Sequence, residues 1–237
     1  MINLLLLFTV LQAPVRSVSS SHVTVVHPLN VDAAIAKSYL SVLEQMYVSY
    51  SSQLQVGRNG RLRVRLCHDK YAFSGLTRTD SMFSPLWKDG TLYIIARDDI
   101  SDPGYQAKLA TGVVQGVLKQ VNYNGAPAWL VYSVAVYESG LYKGLTPPPV
   151  ETVKYFSDLE ERMQSVSSPT DLSDLIFYLG NTGKFLDTKF GVGSLMRLLH
   201  EFDRETSFEE AVSRAFNISV SELERDWHVY LQNAANQ

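Results

Sequence analysis

The sequence predicts an α+β protein: a small mixed sheet with helices, followed by an all-helical C-terminal half. Three observations predict it. The segments His22–His27 and Arg61–Cys67 have β-branched or alternating patterns typical of strands, and Thr91–Ala96 is a third predicted strand. Apolar residues recur at helical spacing between these segments. After the prolines at 147–149 only helical patterns follow, so the chain changes character there.

The composition indicates a globular protein with a real core. The chain has 237 residues, 46% of them hydrophobic, which fits one domain of generous size. The formal net charge of −3 gives no sign of a nucleic-acid partner. Cys67 is the single cysteine, so an internal disulfide and a cysteine-based zinc site are excluded.

The N-terminus is predicted to be a secretory signal, residues 1–20, followed by a mature domain at 21–237. The apolar run Ile2–Leu11 is too short to span a bilayer, and the small residues at 17–20 suit cleavage. The protein is therefore expected to be exported, periplasmic or extracellular in a bacterium, with no stable membrane span after signal removal. Because no Lys or Arg precedes the run, a buried N-terminal strand or helix remains the alternative.

Helical patterns fill most of the remaining chain. A helix is predicted from Val31 to about Leu54, whereas 69–90 is predicted to be an ordered loop or small hairpin whose aromatic residues need burial. In the C-terminal half we expect a helix over Val150–Met163. Another should begin at Ser168 and run through Leu179, and a further one should start near residue 183.

The central stretch Ala107–Gly140 predicts two apolar helices joined by a short turn. The first has a broad apolar face, and Gly125 and Pro127 then break the chain. The second starts near Ala128 and ends at Gly140. Two apolar helices that simply pack in a core would give the same pattern.

The second of these helices resembles the gluzincin metallopeptidases, specifically the bacterial peptidase-MA-like domains. Their Trp-Leu-x-Glu-Gly-x-Ala-x-Tyr segment is matched in outline by Trp129, Leu130, Ala135, Tyr137, Glu138, Ser139 and Gly140. The C-terminal stretch 191–231 also resembles that family, through Gly191, Leu195, Leu199, Ser207, Phe208, Glu209, Glu210, Ala211, Phe216, Leu223, Asp226 and Trp227. The resemblance covers about 21–231. It implies a zincin-like (gluzincin) fold with a sheet-plus-site-helix half at 21–145 and a helical half at 146–237.

The resemblance also implies a zinc site, but its ligands are missing. In the family the first helix carries His-Glu-x-x-His, because two His at i and i+4 share one face and grip zinc. Placing Val117-Leu118 on the residues after the second His puts Gly112 and Gly116 at the histidines, Val113 at the general base and Tyr132 at the third ligand. We therefore expect no catalytic residue and no metal, and we predict that Tyr132 packs over the two glycines.

These features predict a catalytically inactive, peptidase-like protein of the cell envelope that binds a peptide or protein partner or has a structural part. In the family, an extended peptide lies along the edge strand just before the zinc helix. That strand corresponds here to Leu92, Tyr93, Ile94 and Ile95. A neighbouring loop that covers this edge is the alternative.

An active zinc-dependent peptidase or hydrolase with a relocated site is the second functional hypothesis. The chain has five histidines, and none has another His three or four residues away on a predicted helix. A metal site assembled from distant residues stays open.

Overall fold

The computed structural model describes residues 14–57, 60–121, 123, 125–149 and 153–235. The strands are β1 (Val15–Ser19), β2 (Val23–Pro28), β3 (Leu62–Cys67), β4 (Leu86–Lys88) and β5 (Thr91–Ile95). The helices are α1 (Ala33–Gln53), α2 (Lys70–Thr77), α3 (Pro103–Gln120), α4 (Ala128–Ser139), α5 (Phe156–Ser165), α6 (Pro169–Phe190), α7 (Ser194–His200), α8 (Phe208–Phe216) and α9 (Val220–Ala235). A short 3-10 turn, Ser81–Phe83, precedes β4.

The strands form one mixed sheet in the order β1-β2-β3-β5-β4. The three central strands β2, β3 and β5 are parallel, and β1 and β4 pair antiparallel at the two edges. Helices α1 and α3 contact each other, α1 contacts β2, and α3 contacts β3, β4 and β5. The predicted α+β class with an N-terminal mixed sheet is therefore confirmed.

Helix α3 approaches the sheet closely through two glycines. A Cβ atom added at Gly112 would lie 2.6 Å from Leu92 Cδ1, and one at Gly116 would lie 2.6 Å from Leu62 Cδ1 and 2.9 Å from Trp87 Cζ3. Real Cβ atoms do not come this close to other heavy atoms. The absence of side chains at these two positions therefore sets the distance between α3 and the sheet.

The helical half is packed around α4, which contacts α3, α5, α6 and α7. An aromatic cluster joins the ends of this half: the rings of Trp129 and Phe156 stack at 4.8 Å, and Phe156 lies 4.6 Å from Trp227. The buried Trp227 Nε1–H donates to Thr182 Oγ1 at 3.1 Å. The buried side chains of both halves form one continuous hydrophobic core.

Two of the predicted elements are wrong. The segment 69–90 contains a helix, α2, whose N-cap Asp69 accepts a hydrogen bond from the Ala72 amide, and then the strand β4. The break predicted between Leu179 and residue 183 does not exist, because α6 runs unbroken from Pro169 to Phe190. Gly180 and Gly183 lie inside this helix. Gly180 is in close contact with Tyr142, which follows α4, and Gly183 is in close contact with Tyr137 on α4, so the two glycines allow α6 to pack closely there.

The predicted signal segment overlaps the first strand. Residues 1–13 lie outside the described residues, while Val15–Ser19 forms β1 and pairs with β2, with Val18 opposite Val25. The signal at 1–20 stays a prediction, and its removal would expose the edge of β2. No helix within the described part of the chain combines the length and apolar character that a bilayer crossing requires.

A valine at position 116 tests the close approach of α3. We expect Gly116→Val to lower the free energy of unfolding by roughly 1–3 kcal/mol, because the new methyl groups collide with Leu62 and Trp87. Gly75→Val in the exposed part of α2 is the control, since a Cβ there meets nothing within 4 Å, and we expect no loss of stability. Chemical denaturation measures both; equal destabilisation would contradict the packing argument.

Candidate functional site

A groove runs along α3. One side is formed by β4 and the segment before it, and the other side is formed by the helical half. One part is a cavity of about 170 Å³ lined mostly by apolar side chains, and we call it the apolar end. It is lined by Met82, Phe83, Ser84, Pro85, Leu86, Lys108, Thr111, Gln115, Tyr132, Val136, Leu141, Met163, Val166, Leu172, Leu175, Ile176 and Leu179. The sheet half and the helical half both contribute to it.

Further along α3 lies a second cavity of about 480 Å³, which shares two lining residues with the first and which we call the lysine end of the groove. It is lined by Trp87, Lys88, Asp89, Gly90, Gln115, Lys119, Tyr123, Ala126, Ala128, Val131 and Tyr132. Gln115 and Tyr132 line both parts, so they stand at the centre of the groove. A larger concavity of about 660 Å³ between α8 and α9 is an open surface lined chiefly by polar side chains.

The groove face of α3 carries Lys108, Thr111, Gln115 and Lys119. Their spacing of three, four and four residues places them in one stripe along the helix. Each α-helical residue is rotated by about 100° from the one before it. Gly112, one position after Thr111, therefore falls outside this stripe and faces the sheet.

The predicted site positions Gly112, Val113 and Gly116 therefore do not line the groove. Gly112 and Gly116 face Leu92, Leu62 and Trp87 of the sheet, and the fully buried Val113 does not line the groove. The prediction that Tyr132 packs over the glycines is wrong for the same reason.

Tyr132 itself does lie in the groove, opposite the stripe of α3. It shares the groove with Thr111 and Gln115, an i, i+4 pair on the helix. Helix α4, which carries Tyr132, has nearly the bounds predicted for the second of the two central helices.

The predicted edge strand is also wrong. Strand β5 is paired on both sides, with β3 through Val64–Cys67 opposite Leu92–Ile95 and with β4 through Leu86 opposite Tyr93. The Ile95 amide donates to Ser84 Oγ at 2.9 Å, so Leu92, Tyr93, Ile94 and Ile95 do not form the open edge. The edge belongs to β4, which the sequence analysis placed in a loop or small hairpin.

The backbone of β4 offers hydrogen-bonding groups at this edge. Asp89 and Gly90 have φ angles of 48° and 72°, so they form the two-residue turn typical of a tight hairpin. The residues flanking such a turn, Lys88 and Thr91, exchange hydrogen bonds, and the pattern alternates along an antiparallel pair. The N–H and C=O of Trp87 therefore point away from β5.

The polar side chains at the groove centre differ in their hydrogen bonding. Thr111 Oγ1 donates to the Ala107 carbonyl at 2.9 Å and lies 2.7 Å from Ser139 Oγ. Gln115 is only 8% exposed, yet neither its amide nor the Tyr132 hydroxyl has a hydrogen-bond partner among the described residues. Burial raises the pKa of Tyr132, so its hydroxyl stays protonated at neutral pH. Gln115 and Tyr132 are free to bind a ligand.

Glu138 belongs to the segment that resembles the metallopeptidases, but it lies outside the groove lining. Its Oε2 accepts a hydrogen bond from Gln53 Nε2 at 2.5 Å. Burial, together with the negative charge of Asp187, raises its pKa. Asp187 in turn accepts a hydrogen bond from the Tyr137 hydroxyl at 3.0 Å. These carboxylates connect helices and do not reach the centre of the groove.

The histidines have local structural partners. His22 Nδ1 lies 2.5 Å from Glu44 Oε1, and His27 is 2% exposed with its Nδ1 at 3.2 Å from the Val31 carbonyl. Within the residues the structure describes, no group of three or more His, Cys, Asp or Glu side chains is placed to hold a metal ion.

Comparison with known proteins gives no relative. No protein-family model matches the chain, and neither the curated proteins nor the solved structures contain a match.

The pH dependence of the stability of Glu138→Gln tests whether the pKa of Glu138 is raised. Because the folded-state pKa of Glu138 is raised, its ionisation opposes folding above the pKa of the unfolded chain. Glu138→Gln should therefore be more stable than the wild type at neutral pH, and the difference should vanish in acid. Urea titrations across this pH range measure it.

Glu44→Gln is the matched control with the opposite sign. Burial alone would raise the pKa of Glu44, but hydrogen bonds from Ser20 and His22 outweigh it and lower that pKa. The stabilisation is present above the unfolded-state pKa and is lost as pH falls through the folded-state pKa. Glu44→Gln should therefore be less stable at neutral pH and approach the wild type in acid. The same direction of change in both variants would contradict the assignments.

Proposed function

We propose that this protein is a non-enzymatic, peptidase-like binding protein of the bacterial cell envelope whose groove holds an extended segment of a partner protein. The observation that carries the proposal is the side-chain amide of Gln115 at the groove centre, which has no hydrogen-bond partner among the described residues and is accessible from the groove. In the largely apolar surroundings of the groove, a hydrogen bond from a ligand to this amide is stronger than one made in bulk water.

The chemistry of Gln115 suits a peptide backbone. A side-chain amide offers one carbonyl acceptor and an NH₂ donor, the same pair of functions that a peptide unit presents. Tyr132, on the facing helix, adds a hydroxyl that donates or accepts. The two side chains together can therefore satisfy the polar groups of a peptide unit held in the groove.

The sheet edge beside the groove supports the same ligand. Trp87 lines the lysine end, and its backbone N–H and C=O point away from β5. An extended segment can add to β4 there as a further strand, which is a recurring mode of peptide recognition. The apolar end then accommodates a side chain of that segment.

The residues at the groove centre favour binding over zinc-dependent hydrolysis. We place the residues that face the groove at the motif positions and call this the corrected register: Thr111 and Gln115 then correspond to the two histidines of the metallopeptidase motif, Gly112 to the general base and Tyr132 to the third ligand. A neutral hydroxyl and an amide are weak zinc ligands compared with imidazole and carboxylate, and glycine cannot accept a proton. Kinship with the peptidase-MA-like domains and the zincin-like fold are part of this proposal.

Two measurements on the purified protein test the proposal. We expect less than stoichiometric zinc by elemental analysis and no turnover of an unfolded protein substrate. Stoichiometric zinc with turnover would instead support an active hydrolase with a relocated site. For binding, random linear peptides displayed on phage are selected on the wild type and on Gln115→Leu. We expect enrichment on the wild type only, since leucine keeps the bulk of Gln115 and removes its amide.

Introducing metal-ligating side chains on α3 and α4 tests which residues of α3 correspond to the two histidines of the motif. We expect Thr111→His, Gln115→His and Tyr132→Glu combined to create a site that binds Co²⁺ with the visible absorption of a tetrahedral ion. The matched set Gly112→His, Gly116→His and Tyr132→Glu should not, because the two histidines would be directed at Leu92 and Leu62 of the sheet. Circular dichroism shows whether each variant folds. Metal binding by a folded second set alone would contradict the corrected register.

A further inference from the structure

We infer that the segment bound in the groove is acidic, with two carboxylates about four or six residues apart on the same face of the extended chain and an apolar side chain between them. The inference rests on the proposed function and specifies the chemistry of its ligand.

The two carboxylates are assigned from two lysines at opposite ends of the groove. Lys108 lines the apolar end and Lys119 lines the lysine end, and both lie on the groove stripe of α3. Neither ammonium group forms a salt bridge or hydrogen bond within the described residues. Both are exposed and therefore accessible to a ligand.

The charge of the groove is opposite to that of the chain. Its charged lining residues are Lys88, Asp89, Lys108 and Lys119, three cationic and one anionic, whereas the whole chain has a formal net charge of −3. Lys88 is already engaged, because its Nζ donates to the Thr77 carbonyl. The groove therefore attracts an anionic segment through Lys108 and Lys119.

The spacing of the carboxylates follows from helix and strand geometry. Lys108 and Lys119 are eleven positions apart, which corresponds to about 16 Å along the axis of α3. An extended segment advances about 3.3 Å per residue, and its successive side chains point to opposite faces. Two side chains that both face α3 and span roughly this distance are therefore about four or six residues apart. A segment that adds to β4 runs beside α3, because β4 and α3 line the same groove.

The apolar side chain is assigned from the cavity at one end. The apolar end encloses about 170 Å³, and its walls include Met82, Phe83, Met163 and Leu175. Its charged lining residue is Lys108, at its exposed rim. A Leu, Met or Phe side chain of the segment can bury its apolar surface there.

The peptides selected from the display library test this inference. We expect two acidic positions about four or six residues apart, with an apolar residue at an even spacing between them. A synthetic peptide of this pattern should bind about three- to tenfold more tightly than its copy with both Glu replaced by Gln. The difference should shrink as salt is added and disappear in Lys108→Gln/Lys119→Gln. Lys37→Gln on α1, an exposed lysine away from the groove, is the control and should keep the full difference.

The outcomes separate the two proposals. Peptides that are enriched on the wild type over Gln115→Leu but carry no acidic positions would overturn the charge assignment and leave peptide binding in place. A preference for acidic peptides that survives in the double lysine variant would also overturn it. Failure to enrich any peptide over Gln115→Leu would overturn peptide binding, and the acidic ligand with it.

Discussion

The contact between α3 and the sheet determines the rest of the site. Gly112 and Gly116 allow the helix backbone to lie against Leu92, Leu62 and Trp87, and this contact fixes the rotation of the helix about its axis. Because the rotation is fixed, Thr111 and Gln115 face away from the sheet and into the groove. A helix rotated by one residue would bury these polar side chains against the strands.

The second wall of the groove depends on similar contacts between helices. Gly183 allows α6 to approach Tyr137 of α4, and α4 carries Tyr132 to the groove centre. The groove thus lies between two closely packed layers.

Much of the fold could be predicted from sequence, because strand and helix periods are local signals. The strands β2, β3 and β5 and the helices α1, α3 and α4 lie within a few residues of their predicted positions. The short elements were missed: β4 has only three residues, and it forms because β5 and a tight turn at Asp89 and Gly90 support it. The unbroken α6 was missed because glycines in a helix can indicate either a break or close packing.

The sequence by itself determined that α3 carries no imidazole or carboxylate in any register, since no His, Asp or Glu occurs between Pro103 and Gln120. Only the tertiary structure decided which residues face the groove. The physical reason is that α3 is buried continuously from Leu109 to Leu118, so its pattern gives no preferred outward face. The strand that forms the sheet edge was likewise decided by pairing between distant segments, which local patterns do not encode.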